Sequence, residues 1–336
     1  MDPNVILPFL SSSISFVFAA LVLAQWSRRR HSFQLVWALG LLWYGISAGT
    51  EFWGGAFGWS EPLYRAWYLI GAFFVAAYLG MGTAYLLART RFGYFISTSL
   101  VLSALITLAA GTKYDAAESA EIGAGVTLAV ALAVALATAF RRATSAHLLF
   151  FALVAASGVM SYLVLTAHVA APGYALDPVT RVPTGDAMPQ TLRPLTIPFN
   201  VGGAFSLVFG AVFSAYVFMP KRKLLRGRAL PPVAAQLYGT VAIVVNLFAS
   251  VPLAAGALVR GQLHSRVPAT LLIALGGFIP GITSGLNRFG ITWSFFLGEL
   301  LGVVFIFIGF VISTEVFASR VRVGPVTLGR AEEAAA

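Results

Sequence analysis

The sequence predicts an all-α membrane protein, a polytopic transmembrane bundle of seven helices followed by a C-terminal group of two or three more. Of its 336 residues, 59% are hydrophobic and only 10% are charged, whereas soluble domains carry about 25% charged residues. Ten apolar runs are long enough to cross a bilayer, which takes about 20 helical residues at about 1.5 Å each. Most of the arginines lie in short loops between these runs. The net charge of +10 therefore indicates membrane orientation rather than nucleic-acid binding.

The first 220 residues hold seven apolar runs, predicted to form one bundle with its N-terminus outside. The runs are Val5–Trp26, Trp37–Trp53, Arg65–Leu87, Tyr94–Ala110, an alanine- and valine-rich run that ends at Arg141, His147–Ala170 and Leu195–Met219. The loops after the odd-numbered runs hold twelve lysines and arginines, whereas those after the even-numbered runs hold only Lys113, Arg181 and Arg193. Because cytoplasmic loops carry the excess of these residues, we predict a multi-pass protein of the bacterial inner (plasma) membrane.

The C-terminal third divides into a basic cytoplasmic linker, residues 221–232, membrane segments in 233–318 and a polar tail, 319–336. Its apolar runs are Gln236–Val259, Pro268–Leu286 and Ile291–Phe317. The middle run contains four glycines and Pro280. If it is a continuous helix, ten crossings place the tail outside. If it is broken or re-entrant, which requires protein around its free backbone groups, nine crossings place the tail inside. Both alternatives stay open at this point.

The second and third runs form the most distinctive hairpin of the sequence. When the third run is projected onto a helix at about 100° per residue, an aromatic stripe and a ridge of small residues fall on different faces. Small residues at such spacing permit close approach of helices in lipid. The stripe comprises Trp67, Phe74, Tyr78 and Tyr85, and the ridge comprises Ala72, Ala76, Gly80 and Ala84. We expect the second helix to pack on the ridge with Glu51 inward, so that Glu51 meets Arg65 near the outer surface.

This hairpin is the first candidate site, a ligand-binding wall open to the outside. Its residues are Glu51, Trp53, Trp59, Tyr64, Arg65 and Tyr68. The structural alternative is an ion pair that only fixes the hairpin, since Trp and Tyr collect at membrane interfaces in any case. The loop from Ala171 to Pro198, with six prolines, is expected to be an extended cover over this end of the bundle.

Glu299 is the second candidate site, because ionisable groups deep in a membrane segment usually face partners or water. Asn246 lies at a comparable depth in its own run and is the expected hydrogen-bonding partner. The pair would form an ion or proton site, or Glu299 would be a neutral acid that holds two helices together.

No enzyme, metal site or cofactor is predicted. The chain has no cysteine, its four histidines do not form a metal signature, and no phosphate loop or nucleophile elbow is present. The expected partners are the lipid bilayer, a small-molecule ligand and other membrane subunits, and no nucleic acid.

Several features together resemble the bacterial seven-helix membrane sensory region found N-terminal to some histidine kinases. They are basic residues after the first helix, then Trp37, Tyr44, Glu51, Arg65, Tyr68 and Gly71. The resemblance covers about the first 220 residues and implies helices that perceive a ligand or a membrane state. After them come three more apolar runs instead of dimerisation and ATP-binding domains. The leading hypothesis is thus a ligand-sensing module. The alternatives are a proton- or ion-coupled secondary transporter that uses Glu299, and a structural subunit of a membrane complex.

Overall fold

The chain is almost entirely helical in the computed structural model, which describes residues 2–170, 184–226, 232–287, 294–313, 321–323 and 326–328. The all-α prediction is confirmed. The N-terminal elements are α1 (Pro3–Arg29), α2 (Ser32–Phe57), α3 (Glu61–Leu69), a π-helix (Ile70–Phe74), α4 (Val75–Leu86), α5 (Phe92–Lys113), α6 (Ala117–Phe140) and α7 (Arg142–Thr166). After two 3₁₀ turns, Gly185–Ala187 and Gln190–Leu192, come α8 (Thr196–Phe218), α9 (Pro232–Val259), α10 (Arg266–Asn287), α11 (Ser294–Ile312) and a short antiparallel hairpin, β1 (Val321–Val323) and β2 (Val326–Leu328).

Nine helical segments of the described chain are long and apolar enough to cross a membrane, with α3, the π-helix and α4 counted as one. The exception among the long helices is α2, whose glycines, hydroxyl side chains and Glu51 lower its mean hydropathy. Its 26 residues nevertheless extend about 39 Å. Ser12 of α1 donates to the Gly45 carbonyl at 2.8 Å, and Trp37 of α2 donates to the Leu79 carbonyl at 3.1 Å. Protein thus flanks α2 on two sides, which explains how a less apolar helix is accommodated in a membrane bundle.

The segment around Pro280 is a continuous helix, α10, of 22 residues. The broken or re-entrant alternative is therefore wrong for residues 266–287. A proline removes only one backbone donor, and the glycines on either side of it remain within helical geometry. Together with α2, this leaves ten helices in the described chain with the length to cross, the higher of the two predicted counts.

The chain forms two compact units: Met1–Gly210 with Gly276–Val304, and Ala211–Leu275 with Phe305–Ala336. The first unit thus contains the start of α11 as well as the N-terminal helices. The division at residues 220 and 233 expected from the sequence stays a prediction.

The first unit gathers its loops at two different ends. His31 and Arg89, from the loops after α1 and α4, and Ala143, in the first turn of α7, line one groove of about 420 Å³. At the other end, Arg65 donates to the carbonyls of Val164 and Ala167 at the end of α7. Successive membrane segments therefore alternate in direction, as the charge pattern predicts.

Small residues bring α4 and α8 into backbone contact. A Cβ added to Gly80 would lie 2.8 Å from the Cα of Gly203, and one added to Gly203 would lie 2.6 Å from the backbone nitrogen of Ala77. The predicted ridge is therefore a packing surface, but its partner is α8 rather than α2. The helix α2 instead contacts the adjacent side of α4, where a Cβ on Gly40 would lie 2.9 Å from Leu79.

Candidate functional site

Two carboxyl groups meet inside the first unit, Glu51 near the end of α2 and Glu299 in the first half of α11. Glu51 is only 2% exposed, and the two side chains lie next to each other. Tyr44, two helical turns before Glu51, donates from its hydroxyl to the backbone carbonyl of Glu299 at 2.7 Å. This second contact fixes α11 against the same face of α2. A hydrogen bond between two carboxyl groups requires a proton on one of them, so this placement would allow the pair to share one proton.

The surroundings of this carboxyl pair supply hydrogen bonds but no positive charge. Trp67 donates from its indole Nε1 to Oε1 of Glu51 at 2.8 Å. The Oε2 atoms of Glu51 and Glu299 are buried and receive no bond from a donor group in the described ranges. No ion pair of either acid with a lysine or arginine occurs among the described side chains. Two ionised carboxylates in such a place would be costly, whereas one proton between them removes half of the charge.

Ser47 extends the polar lining by one turn of α2. Its side chain is buried, and a Cβ added to Gly71 would lie 3.0 Å from its hydroxyl oxygen. Gly71 belongs to the π-helix, one turn after Trp67. The absence of a side chain at Gly71 thus helps the segment that carries Trp67 to approach Ser47 closely.

The π-helix divides the third membrane segment into two parts with different partners. Its backbone pattern leaves a carbonyl free, and Asn200 of α8 donates to that of Ala72 at 2.8 Å. Before it, Trp67 contacts Glu51; after it, Tyr78 donates to the Ser157 hydroxyl of α7 at 3.3 Å. The predicted continuous aromatic stripe is therefore interrupted, because the helical period changes at residues 70–74.

Four aromatic side chains, which we call the aromatic cap, lie next to Glu51: Trp59, Tyr64, Trp67 and Tyr68. The Trp67 ring lies 6.1 Å from that of Trp59 and 5.6 Å from that of Tyr64. Tyr64 is fully buried and donates its hydroxyl to the Thr184 carbonyl at 2.6 Å. A Cβ on Gly185 would lie 3.2 Å from the Tyr68 ring. Residues 184–185 thus cover the cap, in agreement with the predicted cover; the proline-rich residues 171–183 lie outside the described residues.

The predicted ion pair between Glu51 and Arg65 is wrong. The Nε of Arg65 donates to Glu61 at 2.9 Å, and its terminal nitrogens reach the carbonyls of Val164 and Ala167 at 2.6 and 2.7 Å. Glu61 is one turn away on the same helix and is the nearer acid. The carbonyls that end α7 attract a cation as well. Arg65 is a structural residue that joins α3 to α7.

Trp53 does not belong to the aromatic cap, although the sequence grouped it there. Its side chain is 56% exposed, and its ring packs against that of Phe57 in a tilted arrangement, with the centroids 4.7 Å apart. Positions 51 and 53 are about 200° apart on a helix, so both cannot face the same site.

Asn246 does not serve as the predicted partner of Glu299. Its Oδ1 accepts hydrogen bonds from the backbone N–H groups of Leu224 and Leu225 at 2.8 and 2.9 Å, and its Nδ2 donates to the Leu225 carbonyl at 2.9 Å. Similar depth in the membrane does not determine which way a helix faces.

The sequence reasoning missed the pairing of Glu51 with Glu299 and the roles of Tyr44 and Trp67. The sequence contained a signal for the role of Tyr44, because Tyr44 and Glu51 lie seven residues apart and therefore share one helical face. Both acids also lie within apolar runs, and buried polar groups need hydrogen-bond partners. Comparisons with protein-family models, with curated proteins and with solved structures found no match.

Proposed function

We propose that this multi-pass integral membrane protein is a proton-coupled secondary transporter in which Glu51 and Glu299 form the proton site. The observation that carries the proposal is that the two acids lie next to each other, each with a buried oxygen, and that neither is paired with a lysine or arginine among the described residues. Such a pair holds one proton readily, and movement of α11 relative to α2 would change how tightly it is held. That dependence is what couples a conformational change to proton transfer.

The proposed location is a bacterial inner membrane, with the groove of His31, Arg89 and Ala143 on the cytoplasmic side. The support is the basic character of the loops at that end and the preference of such loops for the cytoplasm. The aromatic cap then faces outward, and the carboxyl pair lies below it.

The test combines proton binding with proton movement in the full-length protein. Infrared difference spectra should contain the carbonyl stretch of a protonated carboxyl group that disappears in Glu299→Gln and changes in Glu51→Gln. Gln retains size and hydrogen bonding but cannot exchange a proton. The matched control is Glu61→Gln, an acid on the protein surface that should leave this band unchanged.

In proteoliposomes, a pH-sensitive dye reports proton entry when candidate substrates are added outside. We expect Glu299→Gln to remain folded and to abolish substrate-dependent entry, while Glu61→Gln retains it. A folded Glu299→Gln variant with normal proton entry would refute the coupling role, and an unchanged carbonyl stretch in both variants would refute the shared proton.

A second proposal is ligand sensing at the aromatic cap, as in the sensory region that the N-terminal helices resemble. It is favoured by the cover, since Thr184 and Gly185 contact Tyr64 and Tyr68 in the place that an outside ligand would occupy. Trp59→Ala and Tyr68→Ala should then weaken ligand-induced thermal stabilisation, and Glu299→Gln should have little effect. Loss of proton coupling in Glu299→Gln would decide for transport.

A further inference from the structure

The basic segment after α8 has a fixed backbone, although a loop that only orients a membrane protein needs no fixed structure. Leu224 and Leu225 donate their backbone N–H groups to the Asn246 side chain. Arg222 donates its N–H to the Ser250 hydroxyl at 2.9 Å. Asn246 and Ser250 are both buried side chains of α9, so two polar residues in an apolar helix serve to hold this segment.

Tyr238 fixes the far end of the segment, since its hydroxyl donates to the Arg226 carbonyl at 2.7 Å. The segment therefore runs along α9 from Ser250 to Tyr238. Positive-inside orientation depends on the charge of a loop and not on its conformation. These anchors consequently indicate a role that requires the charges at defined positions.

A cavity of about 630 Å³ lies between this segment and α9. Its polar lining is Lys223, Arg226 and Asn246, and its apolar lining is Leu225, Ala242 and Ile243. Among the described residues no acid lines it, and neither cation forms an ion pair there. The neighbouring cation, Lys221, lies instead over the Tyr216 ring at 5.6 Å. Lys223 and Arg226 thus present two positive charges to one space.

The apolar wall that α9 gives the cavity is itself partly exposed. Ile243 is 36% exposed and belongs to a helix with the composition of a membrane span. A phosphate group would match the two cations, with Arg226 suited to bidentate contact. Leu225, Ala242 and Ile243 would match the start of an acyl chain, and basic pockets beside membrane helices bind anionic headgroups.

We propose that this cavity binds the phosphate headgroup of an anionic glycerophospholipid, with Lys223 and Arg226 as its ligands. The start of its acyl chain lies against Ala242 and Ile243 of α9. The shared chemistry is phosphate recognition, and a free phosphate ion is the competing source. Because this site lies in the second unit and does not include the carboxyl pair, it stands independently of the proposed function.

The experiment measures thermal unfolding of the delipidated full-length protein in neutral detergent. Phosphatidylglycerol, phosphatidylcholine and inorganic phosphate are titrated separately. We expect a saturable rise in the unfolding midpoint with phosphatidylglycerol only. The double variant Lys223→Gln with Arg226→Gln should weaken the apparent affinity at least tenfold.

The matched control is the double variant Arg141→Gln with Arg142→Gln, which removes the same charge from two exposed arginines elsewhere. It should retain the wild-type affinity. An equal loss in this control would show binding to general surface charge and overturn the site. An equal shift with inorganic phosphate would overturn the lipid assignment. Native mass spectrometry provides a second measurement: co-purified phosphatidylglycerol should be depleted in the first double variant and retained in the control, and retention in both would also overturn the site.

Discussion

Replacement of Gly203 by alanine should separate α4 from α8. The added methyl group would lie 2.6 Å from the backbone nitrogen of Ala77 and closer still to the carbonyl group of Ala76. These are backbone atoms, which cannot move away by changing rotamer. Ordinary contacts of a Cβ begin at 3.4 Å, so the two helices must move apart by about 1 Å.

The expected cost follows from that displacement. Overpacking of a well-packed contact costs about 1–3 kcal/mol. The same movement stretches the bond from Asn200 to the Ala72 carbonyl, now 2.8 Å, beyond hydrogen-bonding range, which adds about 1 kcal/mol. The helix preference of alanine over glycine offsets up to about 1 kcal/mol. We expect a net loss of about 1–3 kcal/mol in the free energy of unfolding.

Reversible unfolding of the protein by SDS in mixed micelles measures this difference. The control is Gly158→Ala in α7, where an added Cβ has no atom within 4 Å. That variant should be as stable as the wild type or more stable by up to about 1 kcal/mol. If both alanine variants have the same stability, α4 and α8 are not in backbone contact and the packing argument is refuted.

Three further predictions concern orientation, the end of α7 and the loop before α10. In this cysteine-free chain, Arg142→Cys and Lys223→Cys should resist an impermeant thiol reagent in intact cells while Asp186→Cys reacts; labelling of either of the first two would contradict the orientation. Arg65→Gln should lower the free energy of unfolding by about 2 kcal/mol, because it loses two carbonyl contacts as well as a charge. The half-exposed control, Glu61→Gln, should cost less than about 1 kcal/mol. Equal losses in the two variants would show that the carbonyl contacts contribute little. Burial, together with the charge of Arg266, lowers the pKa of His264 from 6.5, and its Nδ1 accepts the Arg266 N–H at 3.2 Å. Because the unfolded chain then binds the proton more tightly, stability should fall as the pH drops below about 6.5, and His264→Gln should remove that part of the pH dependence of the thermal midpoint between about pH 5 and pH 7.

The membrane helices could be predicted from the sequence because their signal is local. Apolar runs and the arginines that follow them fix where a helix lies and which neighbours share an end. Even α2, which is not apolar enough to count among the candidate spans, was predicted from its apolar run, Trp37–Trp53. The continuity of α10 could not be decided, since glycine and Pro280 are compatible with both a helix and a break.

The candidate site could be predicted only in part, because its contacts depend on the rotation of helices about their own axes. Glu299 and Glu51 were both recognised as buried acids, but pairing by opposite charge led to Arg65, and pairing by depth led to Asn246. Neither rule includes the helix face that each residue occupies. The nearest acid to Arg65 was one turn away, and the carbonyls at the end of α7 have no sequence signature.

The π-helix gives the third membrane segment one residue more than an uninterrupted α-helix would have between the same two contacts. If the same residues formed an uninterrupted α-helix, the two halves would be rotated by about 100° relative to each other. Trp67 could then reach Glu51, or Gly80 could meet Gly203, but not both. The inserted residue thus sets the phase between the carboxyl pair and the tightest helix contact. Any alignment of this segment with an uninterrupted helix requires a one-residue gap at this place.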